Sequence, residues 1–166
     1  MKRVFLLALA LSLAAAGCGG GGSSSPKEKA DQAAAKRRAA FVTRADTICI
    51  KYRRATLSLR RPTTLAEFKR YAGAGIALGE RQYRELSALN PPRAMRRTYR
   101  AYLEQLAASL DAARELETGI VKRNSTQVQV AQNRVRAIAA DMSDLAESIG
   151  LGGCSQNRIQ ARPTGQ

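Results

Sequence analysis

The sequence predicts an all-α protein folded as an antiparallel, up-down four-helix bundle. Between residues 41 and 149, apolar residues recur at steps of three and four, the spacing of a helix that buries one face. Capping residues, prolines and glycines divide this region into four long segments with short connections, which favours helices that pack beside their sequence neighbours. No segment has the alternating pattern of a half-buried strand.

The first two helices are predicted from an apolar face and a capping box. The first helix ends before Pro62, because proline cannot continue a helix, and its apolar face consists of Phe41, Ala45, Ile48, Cys49, Tyr52, Ala55 and Leu59. Thr64 is predicted to cap the second helix, with Glu67 reaching back to the cap. We expect this helix to bury Leu65, Phe68, Ala72, Ile76, Tyr83, Leu86 and Leu89.

The third and fourth helices are predicted in the same way. Asn90 is the expected cap of the third helix and Pro91 its first residue, with an apolar face of Met95, Tyr99, Tyr102, Leu103, Leu106, Leu110 and Ala113. Asn124 or Ser125 caps the fourth, whose apolar positions follow heptad spacing: Val128, Ala131, Val135, Ile138, Met142, Leu145 and Ile149. Gly150 followed by Leu151 is typical of a glycine C-cap. Residues 155–166 are polar and are predicted to be a disordered tail.

Three glycines, Gly73, Gly75 and Gly79, lie within the predicted second helix. A dinucleotide-binding glycine motif follows a strand, whereas the residues before these glycines predict helix. Each glycine costs about 1 kcal/mol against alanine inside a helix, so we expect them to permit close helix approach or a kink. The tyrosines are expected in the core, and a cavity against Tyr71 and Tyr83 is the open alternative.

The N-terminus has the features of an export signal. A short basic start and an apolar run from residue 4 to 13 lead to small residues before Cys18. This ending resembles the lipobox of bacterial lipoproteins. The resemblance implies that residues 1–17 are a cleaved signal peptide and that Cys18 is acylated, which would anchor the protein at the extracytoplasmic face of the cell membrane. Residues 18–40 would then be a lipid-anchored linker and stalk before a bundle of residues 41–154, with residues 19–25 as its flexible, glycine- and serine-rich part.

Two cysteines, Cys49 and Cys154, remain if Cys18 carries lipid. The predicted compartment permits disulfides, and the up-down order brings the start of the first helix beside the end of the fourth, so we predict a Cys49–Cys154 bridge. Two free buried thiols are the alternative. Two cysteines in a chain without histidine cannot supply a usual zinc set, so no metal site and no cofactor are predicted.

The chain is strongly basic, with 28 Lys and Arg against 13 Asp and Glu and a net charge of +15. Outside the membrane, anionic lipids or cell-wall polymers are the expected partners, and nucleic acid is not. A basic cluster opens the predicted third helix, where cations oppose the helix dipole: Arg93, Arg96, Arg97 and Arg100. The cluster is interpreted either as an anion-binding site or as one half of ion pairs with Asp141, Asp144 and Glu147.

Several stretches resemble small, uncharacterised helical lipoproteins of high-GC actinobacteria. These stretches are FVTRADTIC at residues 41–49, LNPP at 89–92, YRAYL at 99–103 and GLGGC at 150–154. The resemblance covers most of residues 41–154. It implies a shared helical fold and no particular activity.

The leading hypothesis is a non-catalytic, lipid-anchored envelope protein. The chain has no histidine and no recognisable nucleophile motif, so no catalytic residues are predicted. Its role would be structural, or binding to anionic envelope components or to another envelope protein. The alternatives are a small-molecule carrier with a pocket between the helices, and an accessory subunit of a transporter or sensor. A large apolar cavity would favour the carrier, and a filled core with one continuous basic face would favour surface binding.

Overall fold

The computed structural model describes residues 25–155, and within them the protein is all-helical, as predicted. Four α-helices follow one another, and a 3₁₀ turn at Arg93–Met95 precedes the third: α1 Pro26–Leu57, α2 Leu65–Ser87, α3 Arg96–Val121 and α4 Ser125–Ser148. The predicted signal peptide, the lipidation site Cys18, residues 19–24 and the tail after Ser155 lie outside the described residues. None of the helices described is both long enough and apolar enough to span a bilayer.

Helix α1 is longer than the predicted first helix of the bundle, because the stalk forms its first half. Ser25, assigned to the flexible linker, is instead the N-cap, and its side chain accepts a hydrogen bond from the Glu28 N–H at 3.2 Å. Pro26 follows at the first helical position, where its missing N–H costs nothing. Nearly all of residues 26–40 are exposed, and burial begins at Phe41. The predicted boundary at residue 40 therefore marks where packing starts rather than where the helix starts.

Two of the predicted helix starts are confirmed and one is wrong. The Thr64 and Glu67 capping box is present, and Asn124 caps α4 by accepting from the Gln127 N–H at 3.0 Å. The third helix does not begin at Asn90 and Pro91. Asn90 and Pro91 each precede a proline, which disfavours helical backbone, so the chain stays extended until the 3₁₀ turn. Helix α1 ends at Leu57, before Pro62, and the hydroxyl of its C-cap Ser58 donates to the Ala55 carbonyl at 2.7 Å.

The buried core is concentrated in one half of the helical body. The most extensive packing is between α3 and α4, while α2 packs on α3 and α1 packs on α2. Phe41 meets Tyr99 edge-to-face with ring centroids 4.9 Å apart. The larger buried side chains come from α1, the end of α2, the 3₁₀ turn and first half of α3, and the second half of α4 with the turn after it: Phe41, Tyr52, Leu86, Met95, Tyr99, Tyr102, Leu106, Ile138, Met142, Ile149 and Leu151.

The turn after α4 closes this half and carries the predicted disulfide, which is confirmed. Gly150 takes a positive φ of 83°, and the Leu151 N–H donates to the Ala146 carbonyl at 2.8 Å, so the predicted glycine C-cap is present. Cys154 then bonds to Cys49 of α1. Ser155, assigned to the disordered tail, is instead buried, and its hydroxyl donates to Glu147 Oε1 at 2.6 Å.

Helix α2 differs most from the expectation. Of the seven residues predicted to be buried there, only Leu86 is fully enclosed. Leu65 is 41% exposed, and the other five are half-buried: Phe68, Ala72, Ile76, Tyr83 and Leu89. The apolar face exists as predicted, but much of it lines an open space instead of filling the core.

Candidate ligand-binding cleft

An apolar cleft of about 520 Å³ lies in the half of the molecule where little is buried. All four helices contribute to its walls, and most of the lining side chains are apolar. The principal apolar lining residues are Leu57, Leu59, Phe68, Tyr71, Ile76, Tyr102, Leu106, Leu110, Leu116, Val135 and Met142. Leu57 is 77% exposed, which leaves apolar surface at the edge of the cleft.

Small residues on α2 keep the cleft open. Ala72, Gly75 and Gly79 all face it, so this wall carries little side-chain volume. A Cβ built on Gly75 would have no atom within 4 Å, whereas one on Gly79 would lie 2.5 Å from Leu110 Cδ2. Gly79 therefore allows α2 and α3 to approach closely, and Gly75 leaves a space that a side chain could fill. The close helix approach predicted from the glycines is therefore confirmed at Gly79.

The floor of the cleft is formed around the disulfide. Cys49, Cys154 and Tyr102 line this end, and the Tyr102 hydroxyl lies 3.8 Å from Cys49 Sγ. Burial, reinforced by the Asp46 charge, raises the pKa of the Tyr102 hydroxyl well above its usual range, so the hydroxyl keeps its proton and donates to the sulfur. Gln82 Nε2 donates to the same sulfur at 3.6 Å. The two hydrogen bonds to Cys49 Sγ therefore connect the disulfide to α2 and α3 at this end of the cleft.

A few polar groups interrupt the apolar lining: Arg53, Thr56, Gln82, Ser109, Glu117 and Ser155. An apolar cavity with a small number of polar groups is the usual form of a small-molecule site, in which apolar contacts supply affinity and polar groups fix orientation. Of the two tyrosines singled out by the sequence, Tyr71 lines this cleft, while Tyr83 lines a separate, smaller hollow beside α3.

Two of the four arginines of the predicted cluster line a groove. Arg93 and Arg96 line this groove of about 400 Å³ together with Arg37 and Arg44 of α1, a combination that was not predicted from the sequence. Arg97 and Arg100 are exposed and do not line this groove. The i, i+7 spacing of Arg37 and Arg44 could have indicated that they share a helix face, but not which segment packs beside it.

The expected ion pairs of this cluster with α4 are absent from residues 25–155. The ion pairs there join Glu85 to Lys51, Arg114 to both Glu80 and Asp111, and Arg134 to Glu115. Glu147 instead accepts from Ser155, as described above. The pairing interpretation was wrong because it assumed a register between the helices that would bring acidic and basic ends together.

No cluster of potential metal ligands occurs in the described part of the chain. Comparisons of the chain with protein-family models, with curated proteins and with solved structures each found no match.

Proposed function

We propose that this protein is a non-catalytic carrier or receptor for an apolar small molecule, anchored at the extracytoplasmic face of the cell membrane by lipid on Cys18. The observation that carries the proposal is the open apolar cleft bounded by all four helices. A purely structural bundle gains nothing from such a space, because closing it would bury more apolar surface and add stability.

The size and lining of the cleft indicate the ligand class. A volume of about 520 Å³ lies within the usual range for small-molecule sites, roughly 300 to 1,000 Å³. An engineered apolar cavity of about 150 Å³ binds benzene, so this cleft has room for a molecule several times larger. The apolar lining favours a hydrocarbon-rich molecule, such as a lipid chain or a polycyclic compound.

The C-terminal tail of the chain is a poor candidate to fill the cleft. The last described residues, Gly153, Cys154 and Ser155, line the cleft. The sequence that follows is QNRIQARPTGQ, in which Ile159 is the only large apolar residue. Burying its two arginines among leucines would cost more than one isoleucine side chain could offset.

Membrane anchoring suits this role. Helix α1 starts at Pro26, eight residues after Cys18, and continues without interruption into the helical body. Lipid on Cys18 would tether the protein to the bilayer, in which apolar molecules dissolve. Replacing Cys18 with alanine should release the protein from membranes into the soluble fraction, and continued membrane retention would refute the anchor.

The predicted up-down order of the helices is part of the same proposal. Contacts between successive helices support an antiparallel order, because residues later in one helix contact residues earlier in the next. Glu80 pairs with Arg114 at 2.7 Å, and Leu86, later in α2, accepts from Tyr99, earlier in α3.

A fluorescence titration tests the proposal. A chain of residues 19–166 keeps the four helices, the buried core and the disulfide, and it lacks the apolar N-terminal run. We expect it to bind N-phenyl-1-naphthylamine, an uncharged apolar fluorophore, saturably with one site per chain. Long-chain acyl compounds should displace the fluorophore and short polar ones should not. Fluorescence that rises linearly without saturation would contradict a defined site.

A further inference from the structure

We propose that the groove lined by Arg37, Arg44, Arg93 and Arg96, hereafter the arginine groove, binds the phosphate head groups of anionic phospholipids in a bilayer. The arginine groove is separate from the apolar cleft and shares no lining residue with it. The inference adds a second, electrostatic contact with the membrane to the proposed lipid anchor.

Two elements of the fold build the arginine groove. Arg37, Ala40, Phe41 and Arg44 follow the i, i+3, i+4, i+7 spacing that defines one face of α1. Phe41 is buried against Tyr99, which holds this face against the start of α3. Residues 89–92 and the 3₁₀ turn form the other wall, from which Arg93 and Arg96 project.

The charges of the arginine groove are not balanced within the described residues. None of its lining residues is acidic, and the ion pairs within residues 25–155 involve none of its four arginines. Arg96 Nε donates to the Pro91 carbonyl at 3.4 Å, which positions this guanidinium along the wall. Guanidinium groups bind phosphate oxygens in a forked geometry and are less strongly hydrated than ammonium groups.

The surroundings favour a bilayer as the source of phosphate. Beside the groove, α1 continues towards the predicted lipid site through an exposed segment, residues 26–40, in which five basic residues outnumber Glu28 and Asp31. This places positive charge at both ends of the stalk, and Arg37 belongs to the stalk and to the groove alike. A bilayer presents many phosphates over such a length, whereas one small anion would occupy the groove alone. Basic residues close to an anionic surface add to binding roughly in proportion to their number.

Vesicle co-sedimentation of residues 19–166 tests the inference without the acyl anchor. We expect binding to vesicles of phosphatidylglycerol and phosphatidylcholine, and little binding to phosphatidylcholine alone. The double variant Arg93→Gln, Arg96→Gln should weaken partitioning to the anionic vesicles about 30-fold. The control, Arg97→Gln with Arg100→Gln, removes the same charge from neighbouring exposed positions outside the groove. Its partitioning to the anionic vesicles should weaken by a factor several-fold smaller than that of the groove variant.

Equal losses of vesicle binding in the two double variants would overturn the inference, because net charge alone would then explain the binding. Equal binding to neutral and anionic vesicles would overturn it as well. Each variant should keep the far-UV circular dichroism of the unmodified all-helical chain, which shows that it is folded. Fluorophore binding reports the cleft and vesicle binding reports the arginine groove, so failure of the carrier proposal and failure of this inference can be told apart.

Discussion

The Asp46 carboxylate accepts a hydrogen bond from the Gly153 N–H at 2.8 Å and joins the first helix to the turn after the last one. The two residues are 107 positions apart in the chain. A Cβ at Gly153 would lie 2.9 Å from the Asp46 Cβ and Cγ atoms, so only glycine allows this approach. The contact places Cys154 against α1 one turn beyond Asp46, where Cys49 is located, and so it positions both disulfide partners.

Replacing Asp46 with alanine should lower the free energy of unfolding by about 1 to 3 kcal/mol, because the Gly153 N–H loses its acceptor in a half-buried turn. Asp46→Asn keeps a carbonyl oxygen at the same place and should lower the free energy of unfolding by less. Urea denaturation of the two variants makes the comparison. Equal losses would show that the charge of Asp46, rather than its hydrogen bond, supports the turn.

The Cys49–Cys154 bridge closes a loop with a sequence separation of 105 residues. In the chain-entropy model, such a loop corresponds to about 4 to 5 kcal/mol of stabilisation, less any strain. The double variant Cys49→Ala, Cys154→Ala should therefore unfold at much lower urea concentration than the oxidised protein, and reduced unmodified protein should behave like it. Mass spectrometry without reductant should detect the cross-linked peptides. Two free thiols in the purified protein would contradict the bridge.

The three glycines of α2 should respond differently to alanine. Gly73→Ala and Gly75→Ala should each raise the free energy of unfolding by up to about 1 kcal/mol, because a Cβ at either position has open space around it. Gly79→Ala should raise the free energy of unfolding by less than the other two substitutions, or should lower it, because the added Cβ would force Leu110 to move. Thermal denaturation of the three variants measures this order. An equal gain at all three positions would contradict the close approach of α2 and α3.

Glu85 should make stability depend on pH in the acid range. Hydrogen bonds from Lys51 and then Tyr52, each at 2.6 Å, lower the pKa of Glu85 from its ordinary value of 4.5. A carboxyl group whose pKa is lower in the folded state stabilises that state above the unfolded value, and the contribution disappears as the pH falls through the folded-state pKa.

Glu85→Gln should therefore lower the melting temperature at neutral pH and flatten its decline below a pH of about 4.5. Glu104→Gln, an exposed position on α3, serves as the comparison. Parallel profiles of melting temperature against pH for Glu85→Gln and the unmodified protein would show that the contacts of Glu85 do not contribute to stability.

Local features of the fold could be predicted from the sequence because they depend on a few neighbouring residues. The Thr64 and Glu67 capping box, the Asn124 cap and the Gly150 turn are of this kind. The start of α3 was missed although the signal was present, since each of two consecutive prolines pushes the residue before it out of the helical region.

The candidate sites could be predicted only in part, because they depend on the distance between helices. Periodicity identified Phe68 and Ile76 as members of an apolar face, but it could not indicate whether α2 would close over the core. The same applies to the arginines. Arg93 and Arg96 were recognised as a cluster, while their proximity to Arg37 and Arg44 depends on how residues 89–92 pack against α1.

The carrier proposal is tested most directly by filling the cleft from one wall and measuring the affinity for N-phenyl-1-naphthylamine. Gly75→Leu adds a side chain where Gly75 lines the cleft and a Cβ has room, while Gly73→Leu makes the same substitution at an exposed position of the same helix that does not line it. We expect Gly75→Leu to weaken binding at least 10-fold, about 1.4 kcal/mol, and Gly73→Leu to leave it unchanged. Equal affinity in the two variants would place the bound molecule outside the cleft and contradict the carrier proposal.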